Sequence, residues 1–291
     1  MLPRPIKVAY AKEGATIYDD TYNSNPYALK RTLELMAQPP TAPGLEAAMT
    51  SELQWVSSRP VVDLLRYQAV SHVNFRHGPQ QRIFVLPEYS ALPRGFNPRT
   101  LELARRLMRE NPSGDALSLI QAGLRELRTG GYTYTLDPGV YGEHTADEFW
   151  FDRKQGFCEH IASAFVVLMR AMGVPARVVT GYQGGEMNPL DGYLTVRQSD
   201  AHAWAEIWLP SQGWRRVDPT GAVAPERIAR AFAGALLHEH RRADEEGRLA
   251  LAELLDAHGG AVRHLLPELL EDRLADQLGN EEADRLAGEL V

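Results

Sequence analysis

Residues 155–173 read QGFCEHIASAFVVLMRAMG, and the fold turns on this stretch. Ile161, Ala164, Phe165, Leu168, Met169 and Met172 recur at helical spacing, which predicts an amphipathic helix beginning at or near Cys158. Gly156 permits a sharp turn just before it. Cys158 is the only cysteine in 291 residues, so it closes no internal disulfide. Its place is what sets it apart. The unpaired N–H groups and the dipole at a helix start favour an anion, and with it a thiolate. A thiol in mid-helix would gain nothing comparable.

A thiolate nucleophile needs an imidazole partner, and the imidazole needs an acceptor to orient it. Two downstream stretches supply candidates. In SDAHAWAEIWL, the alternation after His202 predicts a strand with His202, Trp204, Glu206 and Trp208 on one face. In GWRRVDPT, Asp218 closes a short strand just before Pro219 breaks it. If these strands are neighbours, the imidazole and carboxylate meet while the helix start delivers the thiol.

Outward from this centre the chain divides into four textures: residues 1–43, 44–96, 97–225 and 226–291. The first holds a strand in GATIYDD, a helix in NSNPYALKRTLELMAQ and a Pro-rich linker. The second is rich in β-branched and aromatic residues, with strands expected in VVDLLRYQAVSHVNF and RIFVLPEY. In the third, NPRTLELARRLMREN predicts a helix with Asn97 as N-cap and Pro98 in its first position. Its Leu101, Ala104, Leu107 and Met108 are expected on one buried face. SGDALSLIQAGLRELRTGG repeats the design and stops at Gly130 and Gly131. A strand (YTYTL), a short helix (ADEFWF), the Cys158 helix and several strands (ARVVTGY, YLTVRQ, AHAWAEIWL, WRRVDP) follow, with GGEMNP as a hairpin loop. Helices followed by strands joined by tight turns predict an α+β domain with an antiparallel sheet. The fourth texture is helical by periodicity and acidic.

Composition narrows the function. With 44% hydrophobic and 24% charged residues, the chain reads as a globular protein with a sizeable core. The net charge of −7 and the lack of a Lys/Arg cluster argue against nucleic acid as a partner. No apolar run approaches the roughly 18–20 residues of a membrane helix, and the N-terminus has no secretory signal pattern. A metal site is disfavoured. Cys158 and His160 are two apart and diverge on a helix, as do His238 and His240, and no CxxC or HExxH occurs. Trp204, Trp208 and Trp214 read as core or cleft-wall residues.

Taken together, GFCEHIASAFVVLMRAMGVPARVVTGYQGGEMNP, DAHAWAEIWLPSQGWRRVDPTGAVAPERI and the preceding YTYTLDP and ADEFWFDRKQ resemble the transglutaminase-like superfamily of papain-type thiol enzymes. Within it they are most similar to the periplasmic domain of bacterial TgpA-like membrane proteins. The resemblance covers residues 132–228 closely and extends less closely to about residue 45. It implies a papain-like α+β core, with Cys158 as nucleophile, His202 as general base and acid, and Asp218 orienting His202, and no metal or organic cofactor. It also implies a protein or peptide substrate. A glutamine or other amide would be the acyl donor, a thioester the intermediate, and an amine or water the acceptor. The main-chain N–H of Cys158 would hold the oxyanion, with Trp150, Gln155 and Trp204 as candidates for a second donor or the cleft wall. Hydrolysis by a cysteine protease or amidase, and a catalytically silent interaction module, are the alternatives. Family resemblance implies a periplasmic location. Separately, EGATIYDDTYNSNPYALKRTLELMA resembles the start of the C-terminal domain of Mur ligases, which carry DDxYNxNP, although no GxxxxGK[ST] loop occurs in the chain.

Overall fold

A computed structural model describes residues 86–188, 194–225 and 227, with residues 6–11, 14–19, 46–49, 55–57, 65–69, 78, 79, 81 and 190. The helix expected within residues 23–38 and nearly all of the acidic tail lie outside the described residues.

The chain opens with strands β1 (Ile6–Ala11), β2 (Gly14–Asp19), β3 (Ala47–Met49), β4 (Trp55–Ser57) and β5 (Leu65–Ala69). A 3-10 turn at Leu86–Ser90 follows, so the LPEY part of the expected strand RIFVLPEY is a turn. Leu86 is buried there against Trp208 and Trp214, and this packing overrides the local β-propensity.

Helix α1 spans Pro98–Glu110 and α2 spans Ala116–Thr129. Pro98 occupies the first turn of α1 as expected, but Asn97 does not cap it. Asn97 is held at φ 51°, in the left-handed region, and makes no side-chain bond to its own helix. Its Oδ1 instead accepts from the N–H groups of Ala146 (3.0 Å) and Asp147 (3.3 Å). The α1 start is served by Asp147, whose carboxylate accepts from the N–H of Arg99 (3.0 Å) and of Thr100 (2.7 Å) and from Thr100 Oγ1 (2.6 Å). The two residues therefore cap each other's helices. Met108 is 44% exposed and leaves the predicted face, while Leu103, Ala104 and Leu107 are buried. In α2, Asp115 accepts from Ser118 N–H (2.9 Å), a conventional N-cap.

The short strand β6 (Thr133–Tyr134) precedes α3 (Thr145–Asp147), which runs into a π-helical turn at Glu148–Arg153. Strand β7 (Gln155–Gly156) then leads directly into α4 (Cys158–Ala171). After it come β8 (Ala176–Tyr182), β9 (Glu186–Met187), β10 (Leu194–Val196), β11 (Ala201–Leu209), β12 (Gly213–Val217) and α5 (Thr220–Val223). Part of the expected GGEMNP loop is thus strand β9, paired with β10 through Leu194–Met187 and Thr195–Glu186. The fold is α+β, as expected. One sheet has the order β12-β11-β8, all antiparallel, and another β5-β2-β1-β10-β9.

Helix α4 is the axis of the core. Ile161, Ala162, Phe165, Leu168 and Met169 have no exposed surface, and all but Ala162 pack among α1, α2 and the β11 residues Ala205 and Ile207. Small residues allow that closeness. A Cβ on Gly123 in α2 would lie 2.9 Å from both Met169 and Phe165, so the α2–α4 contact requires glycine. On the sheet, Ala203 fits against Cys158 and Ala162. Burying side chains such as Ile161, Phe165, Leu168 and Met169 contributes about 1.5–3 kcal/mol each, which anchors α4 in the core.

Candidate active site

The sequence around Cys158 positions it from two directions. Phe157 is extended (φ −107°, ψ −175°) and Cys158 is the first residue of α4. Just upstream, β7 pairs in parallel with β6, Tyr134 opposite Gly156, and Thr135 N–H donates to the Gly156 carbonyl (2.9 Å). Gly156 is required, since a Cβ there would meet the Cβ of His160 at 2.7 Å. The thiol is 7% exposed.

His202 is at the start of β11 and Asp218 directly follows β12. The register of these strands, Ala205 opposite Val217, brings the two side chains together. His202 Nε2–H donates to Asp218 Oδ2 at 2.7 Å, and Cys158 packs against Ala203, the next residue of the same strand. Since Nε2 is occupied, Nδ1 is the ring nitrogen left for a thiol partner. The three predicted residues are thus gathered at the start of β11. Burial disfavours the imidazolium, but Asp218 and Cys158 outweigh it and push His202 up to about 9.

Asp218 is held on its other sides too. Its Oδ1 accepts from Thr220 N–H (3.2 Å) and its Oδ2 from Arg216 Nη2 (3.3 Å). Arg216 also bonds Gln183 Oε1, and its guanidinium lies 4.1 Å above the Trp204 ring. Trp204 in turn stacks along His202, with centroids 6.2 Å apart and 26° between planes. An aromatic ring and a cation therefore border the His202–Asp218 bond, limiting water beside it.

The remaining candidates separate. Trp204 borders the site, and its buried Nε1 has no hydrogen-bond partner among the described residues. Trp150 is 1% exposed and donates its Nε1–H to the Ala164 carbonyl (3.2 Å), so its indole is committed to the core and unavailable to an oxyanion at Cys158. Gln155, in β7, accepts at its carbonyl from the Tyr141 hydroxyl (2.5 Å) and is half-buried. His160 is wedged between Tyr141 (4.5 Å) and Phe157 (4.4 Å), and burial lowers its pKa. Sequence reasoning missed Arg216 and Tyr134. Arg216 sits two positions before Asp218, a strand period that puts both on one side. Tyr134 alternates with Tyr132 in YTYT.

Residues 102–219 match the profile of the Transglutaminase-like superfamily, and the chain belongs to that superfamily. Among solved structures it is similar to the periplasmic domain of TgpA from Pseudomonas aeruginosa bound to ethylmercury. The TM-score is 0.61 at 33% identity, covering 76% of this chain and 77% of that one. A second crystal structure of the same domain gives 0.61 at 30% identity, covering 78% and 90%. Among curated proteins, the protein-glutamine gamma-glutamyltransferase of P. aeruginosa is 38% identical over 221 residues, 70% of this chain and 32% of that protein. The uncharacterized YebA of Bacillus subtilis is 32% identical over 139 residues, 45% of this chain and 19% of that one. The chain therefore spans about a third and a fifth of these two relatives. Among the described residues, no helix is long and apolar enough to cross a membrane.

Proposed function

We propose that this chain is a thiol-dependent acyltransferase acting on glutamine or other amide side chains of proteins or peptides. Cys158 is the nucleophile, His202 the proton carrier and Asp218 the group that orients it. The observation that carries this reading is the His202 ring, bonded through Nε2 to Asp218 at 2.7 Å, with Cys158 at the start of α4 packed against the next residue of the same strand, Ala203.

In this mechanism the thiolate, favoured by the helix start and by imidazolium, attacks the amide carbonyl carbon. The oxyanion is received by the main-chain N–H of Cys158, and His202 gives its proton to the departing nitrogen. Nitrogen leaves as ammonia or an amine, and the acyl group stays on Cys158 as a thioester. A second amine, deprotonated by His202 as it attacks, takes the acyl group and frees the thiol. The similarity to a protein-glutamine gamma-glutamyltransferase supports an amine as acceptor, and the likeness to a periplasmic domain supports an envelope setting.

Alkylation by iodoacetamide across pH, in the wild type and in His202→Ala, tests the pair. A thiol that reacts at pH 5–6 in the wild type and loses that reactivity in the variant supports the reading. A thiol that reacts only above about pH 8 in both sinks it. Fluorescent primary-amine incorporation into a glutamine-bearing protein, measured beside ammonia release without amine, then separates transfer from hydrolysis.

A further inference from the structure

Resting on the acyl-transfer reading, we infer that Arg216 is a positioning residue of the triad. It bonds the Asp218 oxygen that receives His202, shares that carboxylate's charge, and so frees the imidazole to act as a base in the second half of the reaction. The sequence places it there. Arg216 lies in β12, two positions before Asp218, a spacing that sets both on one side of the strand. The β11–β12 register puts Arg216 opposite Glu206, but that carboxylate is paired with Arg177 from the other neighbouring strand, at 2.7 Å. Arg216 reaches along its own strand, and its Nη2 donates to Asp218 Oδ2 at 3.3 Å.

Two neighbours hold the guanidinium at this point. Its Nη2 also donates to Oε1 of the buried Gln183, and its Cζ lies 4.1 Å from the centre of the Trp204 ring, which stacks along His202. The Asp218 side chain has no exposed surface, so water screens its charge little and the two donors on Oδ2 divide it between them. Its Oδ1 keeps the Thr220 N–H at 3.2 Å, an anchor that does not depend on Arg216. Around the imidazole, the titratable and charged groups are Asp218 and Arg216 from β12, the Glu206–Arg177 pair further along the sheet, and Cys158 and Tyr134 from α4 and β6. Asp200, two residues before His202, is turned onto the Arg197 N–H at 2.6 Å.

The two halves of the reaction ask opposite things of His202. In the first, an imidazolium beside a thiolate gives its proton to the leaving nitrogen. In the second, sulfur is a neutral thioester and the ring must be unprotonated to accept a proton. Asp218 then holds the imidazolium without help from the thiolate, and an unshared buried carboxylate at 2.7 Å would keep the ring protonated. A guanidinium on the same oxygen weakens that hold. As the acceptor nitrogen, or water, bonds to the thioester carbon, its proton passes to His202. The C–S bond then breaks, sulfur leaves as thiolate, and the imidazolium–thiolate pair is restored.

Two measurements isolate this role without a known natural substrate. The first is the His202 titration midpoint by NMR in Cys158→Ala, where no thiolate is present, with and without Arg216→Gln or Arg216→Lys, the signal assigned by its loss in His202→Gln. The second is p-nitrophenyl acetate turnover across pH. Its burst reports acylation of Cys158, and its steady rate reports hydrolysis of the acetyl-enzyme, with the Cys158→Ala rate subtracted. Thermal melting confirms folding. Arg216→Met, whose stem keeps the Trp204 contact, replaces Arg216→Gln if the latter does not fold.

The neutral variant is expected to raise the His202 midpoint by about 0.5–1 pH unit. Acetyl-enzyme hydrolysis then slows about three- to tenfold on the acid side of its profile and returns to within about twofold of wild type at the alkaline plateau. Arg216→Lys, which keeps the charge, is expected to move the midpoint by less than about 0.3 unit. An unmoved midpoint in the neutral variant would overturn the assignment, and a lowered one would too, marking Arg216 as a brace for Asp218 and not a sharer of its charge. A Lys variant that shifts as far as the neutral one would overturn it as well, as would a loss of turnover that higher pH does not restore. A wild type with no burst would remove the acyl-transfer reading and this one with it, whereas a normal burst with an unmoved midpoint would remove only the role of Arg216.

Discussion

Two buried aspartates set the helical half of the molecule against the sheet half. Asp147 is 3% exposed and Asp218 7%. Asp147 meets the main chain and side chain of one short segment, Arg99 and Thr100, so its charge joins two helices. Asp218 also takes a main-chain N–H, from Thr220, but its second oxygen faces His202 and Arg216. Asp147 ties backbone to backbone, whereas Asp218 ties backbone to an imidazole on the strand against which the thiol packs. The roles proposed for these carboxylates, structural for Asp147 and chemical for Asp218, follow from what lies one contact further on, not from their burial.

That contrast breaks if the two residues respond alike to removal. Asp218→Ala is expected to lower kcat for amide turnover about 10³-fold, because the imidazole loses both its orientation and the charge that stabilises its protonated form. Amine incorporation under saturating donor measures this, and activity within tenfold of wild type would place Asp218 outside the chemistry. Asp147→Ala is expected to do the reverse. It leaves the N–H and hydroxyl of the fully buried Thr100 without their acceptor, a destabilisation of about 3 kcal/mol. Urea unfolding reads that loss, while kcat at a temperature where the variant is folded stays near wild type.

A pH experiment sharpens the same comparison. His202 is raised from its ordinary 6.5 to about 9 in the folded protein, burial opposing and Asp218 and Cys158 prevailing. Its stabilising contribution is therefore complete below about pH 6.5 and is lost as pH rises through about 9. The linkage amounts to at most about 3 kcal/mol. The stability gap between wild type and His202→Gln should narrow from pH 6 to pH 10. A gap that stays flat would mean that the ring gains nothing from its partners on folding.

The site was more legible in the sequence than the scaffold that supports it, for a physical reason. Cys158, His202 and Asp218 each mark the edge of an element with a local signature: a helical apolar period, a two-residue alternation, and a strand stopped by proline. The meeting of His202 and Asp218 required only that β11 and β12 be neighbours, which the short turn between them favours. Arg216 and Tyr134 gain their significance from contacts across elements, Arg216 with Trp204 on the next strand and Tyr134 with Cys158 across a parallel pair. Local patterns carry no such information. Trp150 shows the converse. Its proximity in sequence to Cys158 suggested the cleft, but the π-helical turn at Glu148–Arg153 sets its indole on the Ala164 carbonyl. The β-branched and aromatic neighbours of Leu86 predict a strand, whereas Trp208 and Trp214 across the fold decide its conformation.

Asn97 gives the smallest test of the comparison, and the most exacting. An Asn before Pro reads as the cap of the helix it precedes, yet the carbonyl oxygen of its side chain serves Ala146 and Asp147, 49 and 50 residues away. It also holds φ at 51°, a conformation that asparagine tolerates better than most residues and glycine tolerates best. Two substitutions separate these contributions. Asn97→Ala loses the acceptor and strains the backbone, and is expected to cost about 2 kcal/mol. Asn97→Gly loses the acceptor and relieves the strain, so about 1 kcal/mol is expected. Equal losses in urea unfolding would mean that the left-handed conformation is not maintained once the bond to α3 is gone. Amine incorporation should be unchanged in both variants, because Asn97 acts through Asp147 on the helical half. If either variant lowered kcat, the division between a structural and a chemical aspartate would fail, and the α1–α3 junction would have to be counted among the parts that position the nucleophile.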